Sequence, residues 1–423
     1  MINCCGRVTN NTLQKIQEIG TKLNSGVKVG AKQLKRLYNL FNDLLRNIRC
    51  VDYPFLNRTR IIYNQKGALM SKRILLPLLM AFTSITFSAG CSPSGNKSEK
   101  ITVTDMLGET VTINKNPKKV ACISRTTYDL MVAYGLGDKI DGVYGPILKN
   151  KWTSLIYPES KNHYSYGYEN SYELFISRGV DLVFAPEKYI ADDLKNHGIP
   201  ALNVSLYGKP TFDNYVTFFS KLVSKIWDTE EVKTKASAWE KKVASSISDI
   251  QSELSKHSLP KQKVFYIRGD KDKGIGYTDN KGSFTEYAYR VMGFDFVGSS
   301  LTTNRPSIEE IVAADPDVFV AGGIYQNKHV EDLKTTEPYK LMDAVKNDKI
   351  YTIPNGFTPF EQLSAMTPIF FYDQANKIYP EYFSYDISSM IKETIKEYFG
   401  TNLTDEQVSY MQQGLDVEGG SLI

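Results

Sequence analysis

Histidine is scarce in this chain. There are 4 in 423 residues, His163, His197, His257 and His329, and no two stand within a helical turn of each other. That excludes an HExxH metalloprotease, whose two imidazoles must sit one turn apart to share a zinc ion. Cysteine is equally thin: Cys4, Cys5, Cys50, Cys91 and Cys122 form no CxxC pair and no spacing of a zinc knuckle or disulfide framework. Structural metal is therefore not expected. The motifs of nucleotide and acyl chemistry are missing as well. No GxGxxG follows a strand-like run, no P-loop occurs, and no GxSxG elbow is present; Gly135-Leu136-Gly137 and Gly274-Ile275-Gly276 are isolated pairs. A large net charge is also lacking, since 51 Lys and Arg nearly balance 47 Asp and Glu to leave +4. The balance is uneven along the chain. Residues 1–69 carry 12 bases and 3 acids, whereas residues 91–423 carry 37 bases and 44 acids, a charge of −7. A body of that sign has no basic stripe to neutralise phosphates, so no nucleic-acid partner is expected.

What is present begins with a targeting signal. Met70-Ser71-Lys72-Arg73 precedes a fourteen-residue apolar run, residues 74–87, and then small residues at 88–90. This is the layout of a secretory signal, and the run is short of the roughly 20 apolar residues of a membrane span. Ser88-Ala89-Gly90-Cys91 resembles the lipobox of bacterial lipoproteins, which implies that Cys91 receives diacylglycerol, becomes the mature N-terminus and anchors the protein to the extracytoplasmic face of the cell membrane. Residues 91–100 are polar and are expected to act as a flexible tether that lets a domain stand off a surface. A signal of this kind works at an extreme N-terminus, so translation is expected to start at Met70. Residues 1–69 are then a basic extension outside the native protein; the competing role for residues 34–48 is a basic amphipathic helix on the inner leaflet.

The chain is 42% hydrophobic and too long for one ordinary domain. From residue 101 it alternates short apolar runs with helical patterns, which argues for an α/β architecture with parallel sheets. Strands are expected at 119–124, 139–144, 180–185, 201–205, 264–267, 318–320 and 349–353. Helices are expected at 127–134, 172–177, 191–197, 283–292, 307–313, 368–379 and 387–398. Between the two groups, residues 212–227 and 229–256 read as long helices free of Gly and Pro, the second capped by Asp228 or Thr229. The division is a first lobe at 101–210, helices at 211–258 and a second lobe at 259–423. An internal echo supports it: Ser171-Tyr172-Glu173 with Val180-Asp181 in the first lobe matches Ser307-Ile308-Glu309 with Pro316-Asp317 in the second, each followed by a hydrophobic strand.

Residues 102–113, 116–124 and 136–143, with 350–354 and 398–407 near the end, resemble the class III substrate-binding proteins of ABC importers, the group that serves iron-siderophore, haem and cobalamin uptake. The likeness covers residues 101–411. It implies an α/β fold of two Rossmann-like lobes joined by a long bridging helix, here 212–227, with ligand held between the lobes and only a modest closure. It also implies a monomer with one glutamate per lobe that meets arginines of the permease. By the Ser-x-Glu match these are Glu173 and Glu309, with Glu310 as a substitute for the second. The bland role for the same residues is that of first-turn acids favoured by the helix dipole.

Ligands of doubly wound sheets sit beyond the carboxyl ends of the strands. The first lobe offers Arg125, Tyr128, Tyr166, Tyr168 and Lys188 there; the second offers Arg268, Tyr325, Phe360 and Glu361. Relatives often carry Trp where Phe360 stands. Arginine gives planar bidentate contacts and aromatic faces pack on a chelate, so the expected ligand is a bulky, anionic or oxygen-rich metal chelate of the ferric-siderophore type. Its rivals are a bare metal ion, to which His163 and His329 would contribute, or another complex such as haem, cobalamin or nickel. Two readings of a different class also remain: a two-lobed chelatase or synthase, and an adhesive surface lipoprotein. No catalytic residue and no resident cofactor is expected.

Overall fold

The computed structural model describes residues 99–205 and 215–422. The signal, Cys91 and the basic extension lie outside the described residues. Residues 96–423 form one compact unit.

The first lobe opens with an antiparallel hairpin, β1 (Lys100–Thr104) and β2 (Thr110–Asn114). There follow β3 (Val120–Cys122), α1 (Arg125–Ala133), β4 (Ile140–Tyr144), α2 (Gly145–Lys149), α3 (Lys151–Ile156), β5 (Tyr164–Tyr166), α4 (Tyr172–Arg178), β6 (Leu182–Ala185), α5 (Lys188–Asn196) and β7 (Ala201–Asn203). The five strands β3 to β7 form a parallel sheet in the order β5-β4-β3-β6-β7. Two helices follow, α6 (Tyr215–Ile226) and α7 (Glu230–Leu254). The second lobe holds β8 (Lys263–Ile267), α8 (Phe284–Val291), β9 (Asp295–Phe296), α9 (Ile308–Ala314), β10 (Val318–Ala321), α10 (Gln326–Thr335), α11 (Asp343–Lys346) and β11 (Ile350–Thr352). Its parallel sheet has the order β11-β10-β8-β9. The chain ends with α12 (Thr367–Ile378), α13 (Ile387–Phe399) and α14 (Asp405–Gln412).

The internal echo has a structural cause. In each lobe the helix that carries the Ser-x-Glu motif feeds a strand that pairs with the first strand of the lobe's parallel sheet, β6 beside β3 and β10 beside β8. Asp181 and Asp317 stand at equivalent entries to those strands. The Asp181 N–H donates to Lys119 O at 2.7 Å and its carboxylate accepts from the N–H groups of Lys118 and Lys119. The Asp317 N–H donates to Lys263 O at 2.9 Å and its carboxylate accepts from the Lys263 N–H at 2.8 Å. A short acceptor immediately before the strand closes the open end of the ladder in both halves.

The helix that spans the lobes is α7, which corrects the assignment of the bridge to residues 212–227. At about 1.5 Å per residue, α6 covers about 18 Å and α7 about 37 Å. Moreover, α6 is fastened to the first lobe: the Asn116 N–H donates to Ile226 O at 3.0 Å, the Trp227 indole N–H donates to Pro117 O at 3.1 Å, and Phe219 and Trp227 lie on Phe184 of β6. By contrast α7 starts at its Thr229 cap, which accepts from the Val232 N–H, and runs onto the second lobe. Its buried residues Val232, Ala236, Trp239, Val243, Ser246 and Ile250 fall on one stripe at spacings of four and three. Trp239 sits edge-on to Tyr134 of the first lobe and donates its indole N–H to Ser364 O at 2.9 Å, while Gln251 donates to Val291 O and Asp249 accepts from the Tyr372 hydroxyl.

Further contacts brace the lobes. The Trp152 indole N–H donates to Leu415 O, the Asn150 side-chain amide to Gly356 O, and the Thr401 hydroxyl to Ile156 O. Asp129 of α1 is fully buried and accepts the Ala365 N–H at 2.8 Å. So part of the segment beyond residue 355, expected to belong wholly to the second lobe, also closes against the first. One apolar core runs through both lobes around α7, and bending would open it, which fits a modest closure.

Candidate functional site

Two walls face each other at the carboxyl ends of the sheets. On the first lobe, β3 ends two residues before α1, and Arg125 is the first residue of that helix. Its side chain is half-buried, and among the described residues its guanidinium has no hydrogen-bond or ion-pair partner. Burial pulls its pKa down, opposed only by the through-space fields of Tyr144 and of Glu361 on the other lobe. An arginine drawn partly out of water without a counter-charge is costly.

On the second lobe Glu361 is 5% exposed. One carboxylate oxygen, Oε1, accepts the Gly323 N–H at 2.7 Å, and Tyr266 adds a further hydrogen bond. The other oxygen, Oε2, has no partner among the described residues. Burial pushes this carboxyl up to about 7. Gly322 is needed beside it, because a Cβ there would lie 2.7 Å from Glu361 Oε1 and 2.9 Å from the Tyr266 hydroxyl. Arg268, following β8, donates from Nη1 to Asp279 at 3.1 Å and lies over the Tyr277 ring. Asp279 is itself buried, and its pKa is raised by that burial despite the guanidinium. A small cavity of about 60 Å3 joins Glu361, Tyr266 and Gly323 to Arg268 and Asp279, and the last two also line a wider, open cavity of about 480 Å3.

Arg125 follows β3 and Arg268 follows β8, and Glu361 lies near enough for its charge to bear on Arg125. Several others do not reach open space. Tyr128 is 1% exposed, its hydroxyl bonded to His163 Nδ1 at 3.1 Å and its ring against Phe357. Tyr166 is buried, donating to Asp141, which is also held by Arg178. Phe360 is wholly buried in the core. These three are corrections to the expected aromatic lining: strand-end position was right, but the apolar rings turned inward to bury their area. Lys188 is engaged on the surface by Glu109 and Asp192. Tyr168 is 39% exposed and donates to Glu187. Tyr325 caps α10 and is half-buried. The chain is helical from Gln326, and buried His329 faces the Asp270 carbonyl at 3.2 Å. Asp279 and Tyr266 are not among the residues expected from the sequence: the first lies eleven positions beyond Arg268, and the second lies inside β8.

On the outer surface Glu173 and Glu309 are exposed, each the second residue of its helix. Glu310 is otherwise occupied, because its carboxylate accepts the Ser307 N–H at 2.7 Å in a capping box.

Residues 221–356 match the family model of periplasmic binding proteins. A Bacillus subtilis protein described as an uncharacterized ABC transporter substrate-binding lipoprotein, YvrC, is 28% identical over 308 residues, covering 67% of this chain and 90% of that protein. The Fe(3+)-citrate-binding protein YfmC of the same organism is 24% identical over 296 residues, 69% of this chain and 90% of its own. Among solved structures, a periplasmic solute binding protein of Veillonella parvula aligns with a TM-score of 0.59 at 20% identity, over 74% of this chain and 97% of its own. A molybdate-bound periplasmic binding protein of Haemophilus influenzae gives 0.59 at 18% identity, over 72% and 99%. The chain is thus similar to periplasmic solute-binding proteins over most of its length, and it shares their fold of two parallel-sheet lobes on one long helix.

Proposed function

We propose that this protein is the lipid-anchored substrate-binding protein of an ABC importer, which takes up an iron-siderophore-like metal chelate between its lobes and delivers it to the permease. The observation that carries the reading is the unpartnered, desolvated guanidinium of Arg125 on one lobe, opposite the buried Glu361 and the Arg268–Asp279 pair on the other. Such a pairing of walls suits an anionic, oxygen-rich complex that touches both. A bare zinc or manganese ion calls for several imidazole and carboxylate donors, and among the described residues no group of three or more His, Cys, Asp or Glu stands together. A cation already wrapped by its chelator needs none. The names of the relatives, one an Fe(3+)-citrate-binding protein, support the same class. The mature chain is read as a monomer on the outer face of the cell membrane through Cys91, with Glu173 and Glu309 as its contacts to the permease.

The test is a thermal-shift and calorimetric titration of the purified protein with ferric chelates, haemin, cobalamin and bare divalent ions. Stabilisation by a chelate, with none by the bare ions, is expected. Response to a bare ion alone would overturn the reading.

A further inference from the structure

We propose that each lobe docks on the importer through an apolar patch built around its glutamate, so that the partner is a pair of equivalent membrane subunits, each offering a cation at the rim of an apolar socket. This rests on the reading of the chain as an importer's receptor, and it adds to Glu173 and Glu309 the side chains that fill the contact.

The two helices that bear the glutamates, α4 and α9, have seven residues each and feed equivalent strands of the two sheets. Some of their likeness is dictated by the fold. Phe175 and Ile311 occupy the same position after the Ser cap and are both buried, 1% and 0% exposed, as a helix packed on a sheet requires. The next position differs in kind. Ile176 and Val312 are again matched and again apolar, yet they are 52% and 38% exposed, and Ile308 on the same helix as Val312 is 42% exposed. Packing within the chain does not account for an aliphatic side chain held in water at the same place twice. Among the described residues seven large hydrophobic side chains are exposed, and three of them stand on these two short helices, so the exposure is gathered rather than scattered.

Helix geometry sets these side chains round the acids. Residues three and four apart share a face, so Ile176 lies beside Glu173 and Tyr172, and Val312 beside Glu309 and Ile308. Tyr172 is half-buried, its ring stacked on His197 at 3.7 Å, and it extends the first patch. Each helix connects two parallel strands, α4 between β5 and β6 and α9 between β9 and β10. It therefore runs against the strands, and its first turn lies level with their carboxyl ends, the ends followed by Arg125 and Arg268.

A lipid surface is the poorer fit, because each patch holds a carboxylate that an anionic leaflet repels. A protein socket suits it. The apolar side chains supply the desolvated centre of the contact, and the acid beside them sets orientation and register. Two matched patches on one chain call for two matched sockets, the arrangement of a partner with two-fold symmetry.

The experiment compares the full chain, wild type and variant, in cells that carry no other copy, by the initial rate of uptake of radioactive iron given as ferric citrate, a ferric trihydroxamate or haemin. Calorimetry on the purified proteins measures affinity for whichever is taken up. Ile176→Gln and Val312→Gln are each expected to lower uptake about tenfold, the effect of losing one anchoring side chain from an interface, and together to abolish it. Affinity for the chelate and the melting temperature should not move, since both residues are exposed. Ile176→Leu with Val312→Ile should keep uptake. The proposal is overturned if the double Gln variant takes up iron at the wild-type rate, or if only one of the two positions matters, which removes the matched sockets. It is overturned as well if the unacylated Cys91→Ser protein sediments as a dimer, or floats with phosphatidylcholine vesicles, and the two Gln substitutions abolish that, because a second copy or lipid is then the occupant. If wild-type cells take up none of the three, the receptor reading falls and this one with it.

Discussion

Replacing Glu361 by Gln is expected to remove a pH-dependent weakness at the lobe junction. The carboxyl titrates near 4.5 in open solution and is held up to about 7 by burial in the folded protein. Below the lower value both states are protonated and nothing is lost. Between the two the unfolded chain releases its proton while the folded chain keeps it, so the unfolded state gains and stability falls as pH rises; above the higher value the loss is complete. The gap of about 2.5 between those two values corresponds to about 3 kcal/mol at 1.36 kcal/mol each. In Glu361→Gln the amide oxygen still accepts the Gly323 N–H, and no charge has to be buried. Urea unfolding followed by circular dichroism, at about pH 5 and about pH 8.5, should therefore show the variant gaining about 2 to 3 kcal/mol on the wild type between the two. The comparison must be made between the two proteins rather than on the wild-type slope alone. Asp129, also pushed up to about 7 by burial, loses stability over an overlapping range in both. A gap between wild type and variant that is the same at both pH values would refute the account of Glu361 as a carboxyl kept protonated by burial.

Arg125→Met should raise the melting temperature of the free protein, because it removes a desolvated and unpartnered charge, and should abolish stabilisation by ferric chelates; a thermal-shift series reads both. Trp239→Phe removes the indole N–H that satisfies Ser364 O in the core and should cost about 2 kcal/mol, with Trp239→Ala costing about 3 to 5, each seen as a lowered urea midpoint in a single transition for both lobes. Glu173→Arg combined with Glu309→Arg should leave chelate affinity unchanged and stop uptake in cells. Glu310→Arg should do neither and instead lose about 1 kcal/mol through its capping box. Cys91→Ser should release the protein from the membrane fraction, as measured by fractionation and by loss of the acyl mass.

Much of this protein was legible in its sequence where short-range patterns suffice. Seven of the strands of the two sheets announced themselves as apolar runs, and the matched Ser-x-Glu and Asp-before-strand motifs marked equivalent units because each motif makes its own local bonds, at Asp181 and at Asp317 alike. The Thr229 cap and the stripe of α7 were equally local. The two-residue β9 is too short to carry a period, β5 reads Tyr164-Ser165-Tyr166 with no aliphatic run, and α10 is too polar to show a stripe. What the sequence could not distinguish was which of two consecutive helices bridges the lobes, since that depends on the anchoring of Trp227 to Pro117 and of Trp239 to Ser364, over separations of 110 and 125 residues. Nor could it tell a cleft tyrosine from a core one. Tyr128 and Tyr168 both follow strands, yet one is sealed against Phe357 and the other stands open, because a residue's burial is set by what distant segments bring against it. A guanidinium or carboxylate near a strand end tends toward solvent, whereas an aromatic ring goes wherever the assembled fold leaves room for its apolar area.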